Sequence, residues 1–129
     1  MNYRSNEVPF SDLIGKTIIS IEGKVGDGEL RFNCLDGSQY LMYHDQDCCE
    51  CVYLQDICGD LSDLIDTPIL KATEDTSDKV IDGVESEYQD DSFTWTFYNI
   101  ATIKGSVTLR WYGTSNGYYS ESVDFVKIN

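Results

Sequence analysis

The residues best suited to chemistry in this chain lie between His44 and Cys58. Cysteine thiolates and a neutral imidazole are good zinc ligands, and His44 is the only histidine of the sequence. The candidate ligands are His44, Cys48, Cys49 and Cys58. Their spacing matches no paired C-x2-C template, and adjacent cysteines in an extended chain point to opposite sides. The sequence therefore predicts no cofactor, with zinc as the alternative.

The same cysteines have two other interpretations. In one, His44 is a general base for a nucleophilic Cys48 or Cys49. Four nearby carboxylates, Asp45 and Asp47 among them, would raise the pKa of such a thiol and keep the reactive thiolate scarce. In the other, the thiols are small buried side chains that fill corners of the fold. We prefer the structural interpretation and predict that the protein is not an enzyme.

The negative charge of the chain is concentrated in residues 45–91, which we call the acidic belt. The belt holds fifteen acidic and two basic residues, a net charge of −13, whereas the other 82 residues hold eight and seven, a net charge of −1. Such a surface repels nucleic acid and anionic membranes and favours a basic partner. The residues predicted to face that partner are Asp56, Asp60, Asp63, Asp66, Glu74, Asp75, Asp78, Asp82, Glu85, Glu87, Asp90 and Asp91. A second interpretation is that the belt only keeps the protein soluble.

The elements that carry these residues are predicted to be strands. In Thr17–Val25, the residues Ile19, Ile21 and Val25 share one face, a period of two that is typical of a half-buried strand. Asp36-Gly37 predicts a two-residue hairpin turn. The expected inward-facing pairs across it are Cys34 with Gln39, Phe32 with Leu41, and Leu30 with Tyr43. This register places His44 on the outward face.

A second hairpin is predicted around Lys104-Gly105. Its expected core-facing pairs are Thr102 with Val107, Ile100 with Leu109, and Tyr98 with Trp111. Phe93, Trp95 and Phe97 have the opposite parity, which indicates either a bulge or a strand buried on both faces. Around Asn116-Gly117, a third predicted turn, Tyr112, Tyr118 and Tyr119 are either an exposed contact tip or simply turn residues.

Between the hairpins, Asp60–Ile65 is predicted to be a short helix capped by Asp60. Ile69–Thr73 is a candidate strand, and Glu74–Asp91 is predicted to be an exposed, mobile loop. The expected fold is mainly β: a single-domain antiparallel β-sandwich or open barrel over residues 1–129, with one short helix and an acidic loop. Its parts are a hairpin-rich half (13–44), the acidic centre (45–91) and a second hairpin-rich half (92–128).

The segments His44–Glu50, Asp56–Leu61 and Trp95–Ser120 also carry a resemblance. The run His-Asp-Gln-Asp-Cys-Cys-Glu and the later pairs Arg110-Trp111 and Tyr118-Tyr119 resemble a family of small acidic proteins of unknown function from bacteriophages and prophages. The resemblance spans roughly residues 13–128 and implies a product of a mobile element that acts in the cytoplasm of a bacterial host. No apolar stretch is long enough to span a membrane, and the N-terminus does not resemble a signal peptide.

These features together predict a non-enzymatic binding protein. We expect it to inhibit a basic, nucleic-acid-binding bacterial protein, such as a defence nuclease, by presenting carboxylates where phosphates normally bind. The alternatives are a zinc-stabilised module centred on the His/Cys cluster and a minor virion or assembly protein. The oligomeric state is left open.

Overall fold

A computed structural model describes residues 7–44, 50–77, 92–115 and 121–128. In these ranges, eight strands form two four-stranded antiparallel sheets. In spatial order, the first sheet contains β1 (Ile18–Glu22), β2 (Glu29–Cys34), β3 (Gln39–Tyr43) and β8 (Asp124–Lys127). The second contains β4 (Cys51–Cys58), β7 (Gly105–Ser115), β6 (Ser92–Thr102) and β5 (Lys71–Ser77). The sheets pack face to face without closing into a barrel, which confirms the predicted β-sandwich.

The described helices are two 3-10 turns of four residues each, Phe10–Leu13 and Leu61–Leu64. The second is the predicted short helix. Asp60 caps it by accepting a hydrogen bond from the backbone N–H of Ser62 at 2.9 Å, and this contact lowers the pKa of the Asp60 carboxyl. Neither turn is long or apolar enough to cross a membrane.

Aromatic side chains join the two sheets in one core. The ring of Phe10 lies 4.6 Å from that of Tyr98 in the second sheet and 5.1 Å from that of Phe125 in the first. The indole N–H of Trp111 points at the sulfur of Met42 across the core, at 3.0 Å. These rings come from both sheets and from the first 3-10 turn. They therefore determine how the two sheets pack against each other.

The first hairpin differs from the prediction by one residue. Its turn contains three residues, since Cys34 N–H donates to Ser38 O at 2.9 Å and Gly37, with φ +92°, donates to Cys34 O at 3.1 Å. A glycine in the left-handed region is typical of such a turn. The inward-facing pairs are therefore Phe32 with Tyr40 and Leu30 with Met42. All three predicted pairs were wrong: Gln39 lies opposite Asn33, and Leu41 and Tyr43 lie on the other face, in a small cluster with Val126. The same shift turns His44 inward, where its side chain is 3% exposed.

A bulge in β1 changes which residues of the first strand face the core. The register shifts between Ile18 and Ser20, so that Ile18 is buried and Ile19 is 46% exposed. Ile21 is half-buried against the core, and Val25 is exposed beyond the end of β1. The period-of-two pattern was therefore correct for Ile21 and wrong for Ile19 and Val25.

The second hairpin has the predicted faces in a different register. Its tight turn is Ile103-Lys104, with Thr102 opposite Gly105, Ile100 opposite Val107 and Tyr98 opposite Leu109. A shift of two residues keeps each side chain on its predicted face, because successive strand residues alternate. The pairing is continuous along β6, so there is no bulge. Trp95 is 2% exposed on the face away from the main core, so β6 is buried on both faces there.

The predicted loop Glu74–Asp91 was wrong at its start. Residues 74–77 continue β5, which pairs with β6 as far as Ser77 opposite Trp95. Thr73 and Thr76 favour this extended backbone because they are β-branched. The remainder of that prediction, residues 78–91, lies outside the described residues.

Two buried tyrosines predict that stability falls at alkaline pH. Burial, together with nearby carboxylates, raises the pKa of Tyr40 and of Tyr98 well above the ordinary value. Above about pH 10 the unfolded chain releases these protons while the native protein retains them, so each tyrosine lowers the free energy of unfolding by about 1.4 kcal/mol per pH unit. We expect Tyr98→Phe to make this decline shallower by that amount in urea unfolding measured at several alkaline pH values. An unchanged slope would contradict the burial of the Tyr98 hydroxyl.

Candidate functional site

One end of the sandwich contains a layer of buried and half-buried polar side chains. The chain passes between the sheets there twice, from β3 to β4 and from β7 to β8. The layer consists of His44, Glu50, Thr94, Ser115 and Glu121. Glu50 and Ser115 adjoin the paired residues Cys51 and Thr114, so they extend the core-facing side of the second sheet. We call this set the polar layer.

His44 and Glu50 form the centre of the polar layer. His44 Nε2 lies 2.8 Å from Glu50 Oε2, and Nδ1 lies 2.7 Å from the carbonyl oxygen of Ser122. Their side chains are 3% and 0% exposed. Because a carbonyl only accepts, Nδ1 must carry a hydrogen, and the contact at Nε2 needs a second proton on the ring or on the carboxyl. Both ring nitrogens are therefore engaged by the protein.

Glu121 is the second buried carboxylate of the layer. It is 8% exposed. Its Oε1 accepts a hydrogen bond from the Thr94 hydroxyl at 2.8 Å, and its Oε2 accepts one from the Ser115 hydroxyl. Gly113 makes room for this segment, because a Cβ there would lie 2.6 Å from the carbonyl oxygen of Glu121. The two hydroxyl donors supply the hydrogen bonds that a carboxylate needs when it is taken out of water.

The polar layer joins segments that are distant in the chain. Both nitrogens of His44 contact protein oxygens in this arrangement, and the hydroxyl of Ser115 donates to the carboxylate of Glu121. The layer ties the end of β3 and the segment before β8 to the second sheet. It therefore joins the two sheets at this end of the sandwich.

The structure does not bring the candidate metal ligands together where it describes them. Cys58 ends β4, seven residues and roughly 24 Å of strand beyond Cys51, whereas His44 is bonded beside the start of that strand. Partial burial raises the pKa of the Cys58 thiol, and the hydrogen bond from this thiol to Asp56 raises it further. Cys48 and Cys49 lie outside the described residues. Within the described ranges, no three His, Cys, Asp or Glu side chains are grouped to hold a metal ion.

The belt acids that were predicted to face a partner and that the structure describes fall into three places. Asp60, Asp63 and Asp66 surround the second 3-10 turn, and Glu74 and Asp75 lie on β5. Asp56 lies on β4, at the opposite edge of the sheet and about three strand spacings, or 14 Å, from β5. There it contacts Arg110 at 3.4 Å.

Most of these carboxylates form no ion pair with a described Lys or Arg, although Lys71 lies on β5 and Lys104 Nζ lies 3.4 Å from the carbonyl oxygen of Ser62 in the second 3-10 turn. Among the residues that the structure describes, no Lys or Arg forms an ion pair with the acids of the 3-10 turn or of β5. Glu74 lies beside the Tyr98 hydroxyl and faces the charge of Asp124, and partial loss of water there raises the pKa of the Glu74 carboxyl. The two acids of β5 therefore have no ion-pair partner among the described residues, while Asp56 at the other edge of the sheet pairs with Arg110.

Several residues predicted to bind a partner lie outside the described ranges. Of the three tyrosines predicted around the third turn, only Tyr112 is described. The undescribed acids are Asp78, Asp82, Glu85, Glu87, Asp90 and Asp91. Tyr118 and Tyr119 are also outside these ranges. Tyr112 is 1% exposed and its ring lies 4.5 Å from that of Trp95, so it cannot form part of an exposed contact tip.

The prediction missed the polar layer, although the sequence contains a signal for it. Glu121 has the same parity as the buried Val123 and Phe125, and Glu50 the same parity as the buried Val52. A carboxylate in register with apolar residues at the end of a strand indicates a buried, hydrogen-bonded acid.

These features define a two-sheet β-sandwich with a buried polar layer at one end and an acidic edge strand. A family model described as a domain of unknown function (DUF7448) matches residues 11–125, and the chain belongs to this family. Neither a curated protein nor a solved structure matches it.

Proposed function

We propose that this protein is a non-enzymatic binding protein whose acidic belt engages a basic surface of a bacterial protein. The observation that carries the proposal is the uncompensated charge of the belt: thirteen of the fourteen net negative charges lie in residues 45–91. Its described acids on β5 and around the second 3-10 turn have no ion-pair partner among the described residues.

A basic, nucleic-acid-binding protein suits this surface best. Carboxylates on β5 and around the second 3-10 turn present negative charge as a phosphate backbone does, and the field of the belt accelerates encounter with a positive groove. We propose that the protein blocks such a groove, as in a defence nuclease, and does not itself bind nucleic acid or membrane. In this proposal it is a product of a phage or mobile element that acts in the host cytoplasm.

The polar layer supports a binding role rather than catalysis. Its imidazole and hydroxyls are engaged with carboxylates and a carbonyl, so it stabilises the end of the sandwich near the ends of β5 and β7. A rigid scaffold lowers the cost of ordering a binding surface when the partner arrives.

Neutralising belt acids should weaken partner binding far more than neutralising acids elsewhere. In Asp60→Asn/Asp66→Asn/Glu74→Gln/Asp75→Asn, four exposed charges are removed from the belt. Asparagine keeps the cap at position 60 and tolerates the positive φ of 68° at position 66. We expect a loss of about tenfold or more in affinity for a partner captured from a bacterial lysate, measured with both proteins purified.

The control is Glu7→Gln/Glu29→Gln, which removes exposed charges outside the belt. It should change the affinity by less than about threefold. If the belt variant binds as well as the unmodified protein but aggregates more readily, the acids only protect the sheet edge and keep the protein soluble.

A further inference from the structure

We propose that the outer face of the second sheet, the face turned away from the first sheet, binds an arginine side chain of the basic partner. The guanidinium would stack on the ring of Phe97 and pair with the carboxylate of Asp75. The inference rests on the proposed function and locates one contact of the acidic belt. It is carried by the placement of Phe97 beside Asp75 and by an arginine of the chain itself that is held in the same manner on this face.

A row of four side chains crosses the outer face of the second sheet. Asp75 on β5 is paired with Phe97 on β6, Phe97 with Arg110 on β7, and Arg110 with Asp56 on β4. Residues paired in this way share one face of a sheet. Tyr98, which follows Phe97, is buried in the core. Because successive strand residues alternate between the faces, the row points away from the core.

Two members of this row are available for a ligand. Phe97 is half-buried, belongs to neither apolar cluster and makes no ring contact with a described residue. Asp75 is exposed, and its carboxylate forms neither a hydrogen bond nor an ion pair with a described residue. The adjacent pair of Thr73 and Asn99 is exposed and half-buried, respectively, so solvent reaches this part of the face. An aromatic ring beside an unpaired carboxylate attracts a cation through both groups.

Arg110 shows how this face holds a guanidinium. Its guanidinium carbon lies 5.4 Å from the ring centroid of Trp95, and Nη2 lies 3.4 Å from Oδ2 of Asp56. A planar guanidinium can lie over a ring and still direct its N–H groups at a carboxylate. Phe97 and Asp75 offer the same two groups, and their Cβ atoms are about 5 Å apart because the residues are directly paired. One guanidinium can therefore contact both.

Charge favours an incoming arginine at this position. Arg110 is paired with Asp56 and donates from Nε to Gln55 at 2.8 Å, so the row retains one unpaired charge, that of Asp75. Lys71 lies on the same face, but it is four residues, or about 13 Å, further along β5. A lysine would supply the charge without the planar group that covers a ring. A second copy of this chain carries a net charge of −14 and is repelled.

The test compares two fluorescent peptides of equal charge, Gly-Arg-Gly-Arg-Gly-Arg-Gly and Gly-Lys-Gly-Lys-Gly-Lys-Gly, by anisotropy with the full chain at low ionic strength. We expect saturable binding of both, with the arginine peptide bound about two- to fivefold more tightly because its guanidinium stacks on a ring. The arginine peptide should also shift the NMR signals of the Phe97 ring.

Three variants locate the contact. Because Phe97 lies outside the apolar clusters, Phe97→Leu should keep the fold. It should abolish the preference for arginine and change the affinity for the lysine peptide by less than about 1.5-fold. Asp75→Asn should weaken the arginine peptide by about threefold, and the charge-matched Asp66→Asn by less than about 1.5-fold.

The outcomes separate this inference from the proposed function. Equal affinities for the two peptides, a preference that persists in Phe97→Leu, or equal losses in the two aspartate variants would overturn the arginine site. If binding of both peptides still weakens with salt, the acidic-surface proposal stands without it. Absence of saturable binding would contradict both proposals. A dimer in sedimentation that Phe97→Leu dissociates would show that a second copy occupies the face, which also overturns the inference.

Discussion

Removing either member of the His44–Glu50 pair should destabilise the protein by about 3–5 kcal/mol. Glu50→Leu removes the group that faces Nε2 of a ring with 3% exposure, and His44→Leu leaves a carboxylate with 0% exposure without that ring. A buried charge or polar nitrogen without its partner loses the compensation for leaving water. Urea unfolding of each variant gives the change in free energy.

The double variant His44→Leu/Glu50→Leu separates the pair from simple loss of side chains. Because it leaves neither group unpaired, its cost should be smaller than the sum of the two single costs by more than about 1 kcal/mol. Glu50→Gln should be milder than Glu50→Leu, since an amide N–H can donate to Nε2. Small, additive losses would show that the pair does not hold this end of the sandwich together.

Gly113→Ala should destabilise the protein by about 1–3 kcal/mol, because β7 has no room for a methyl group at that position. The new Cβ would lie 2.6 Å from the backbone oxygen of Glu121, 3.0 Å from its Cβ and 3.2 Å from a methyl carbon of Val52. The backbone at Glu121 must then move, which would disturb its hydrogen bonds with Thr94 and Ser115. Thermal and urea unfolding both report this loss.

Gly28→Ala is the matched control for that substitution. A Cβ at Gly28 meets nothing within 4 Å, and its φ lies outside the left-handed region. We expect a change close to zero, or a slight gain from the smaller entropy of the unfolded chain. If Gly113→Ala were equally harmless, Glu121 could not be packed on β7 as described.

The sequence was sufficient to predict the two-layer β architecture but not the register of its hairpins. Alternation identified the buried face of β2 through Leu30, Phe32 and Cys34. Asp36-Gly37 fits both a two-residue turn and the three-residue turn that forms, and these differ by one residue in the following strand. Because a one-residue shift turns every side chain to the other face, the same error misplaced Leu41 and predicted that His44 faces outward.

The candidate site was predictable only in its charge. Counting acids identified the belt, since net charge is a property of sequence. The distribution of these acids over two edges of the second sheet was not predictable, because it depends on the strand order that separates β4 from β5. The polar layer depends on contacts between residues distant in the chain, such as His44 with Ser122 and Thr94 with Glu121. Pattern within a single strand carries no information about such partners.

We propose that the acidic belt binds a basic partner through its charge. The most direct measurement is the salt dependence of that affinity, for the unmodified protein and for Asp60→Asn/Asp66→Asn/Glu74→Gln/Asp75→Asn. We predict that the dissociation constant of the unmodified protein rises steeply with ionic strength and that the rise is shallower for the variant. An affinity that is independent of salt, or slopes that are equal for both proteins, would contradict the claim.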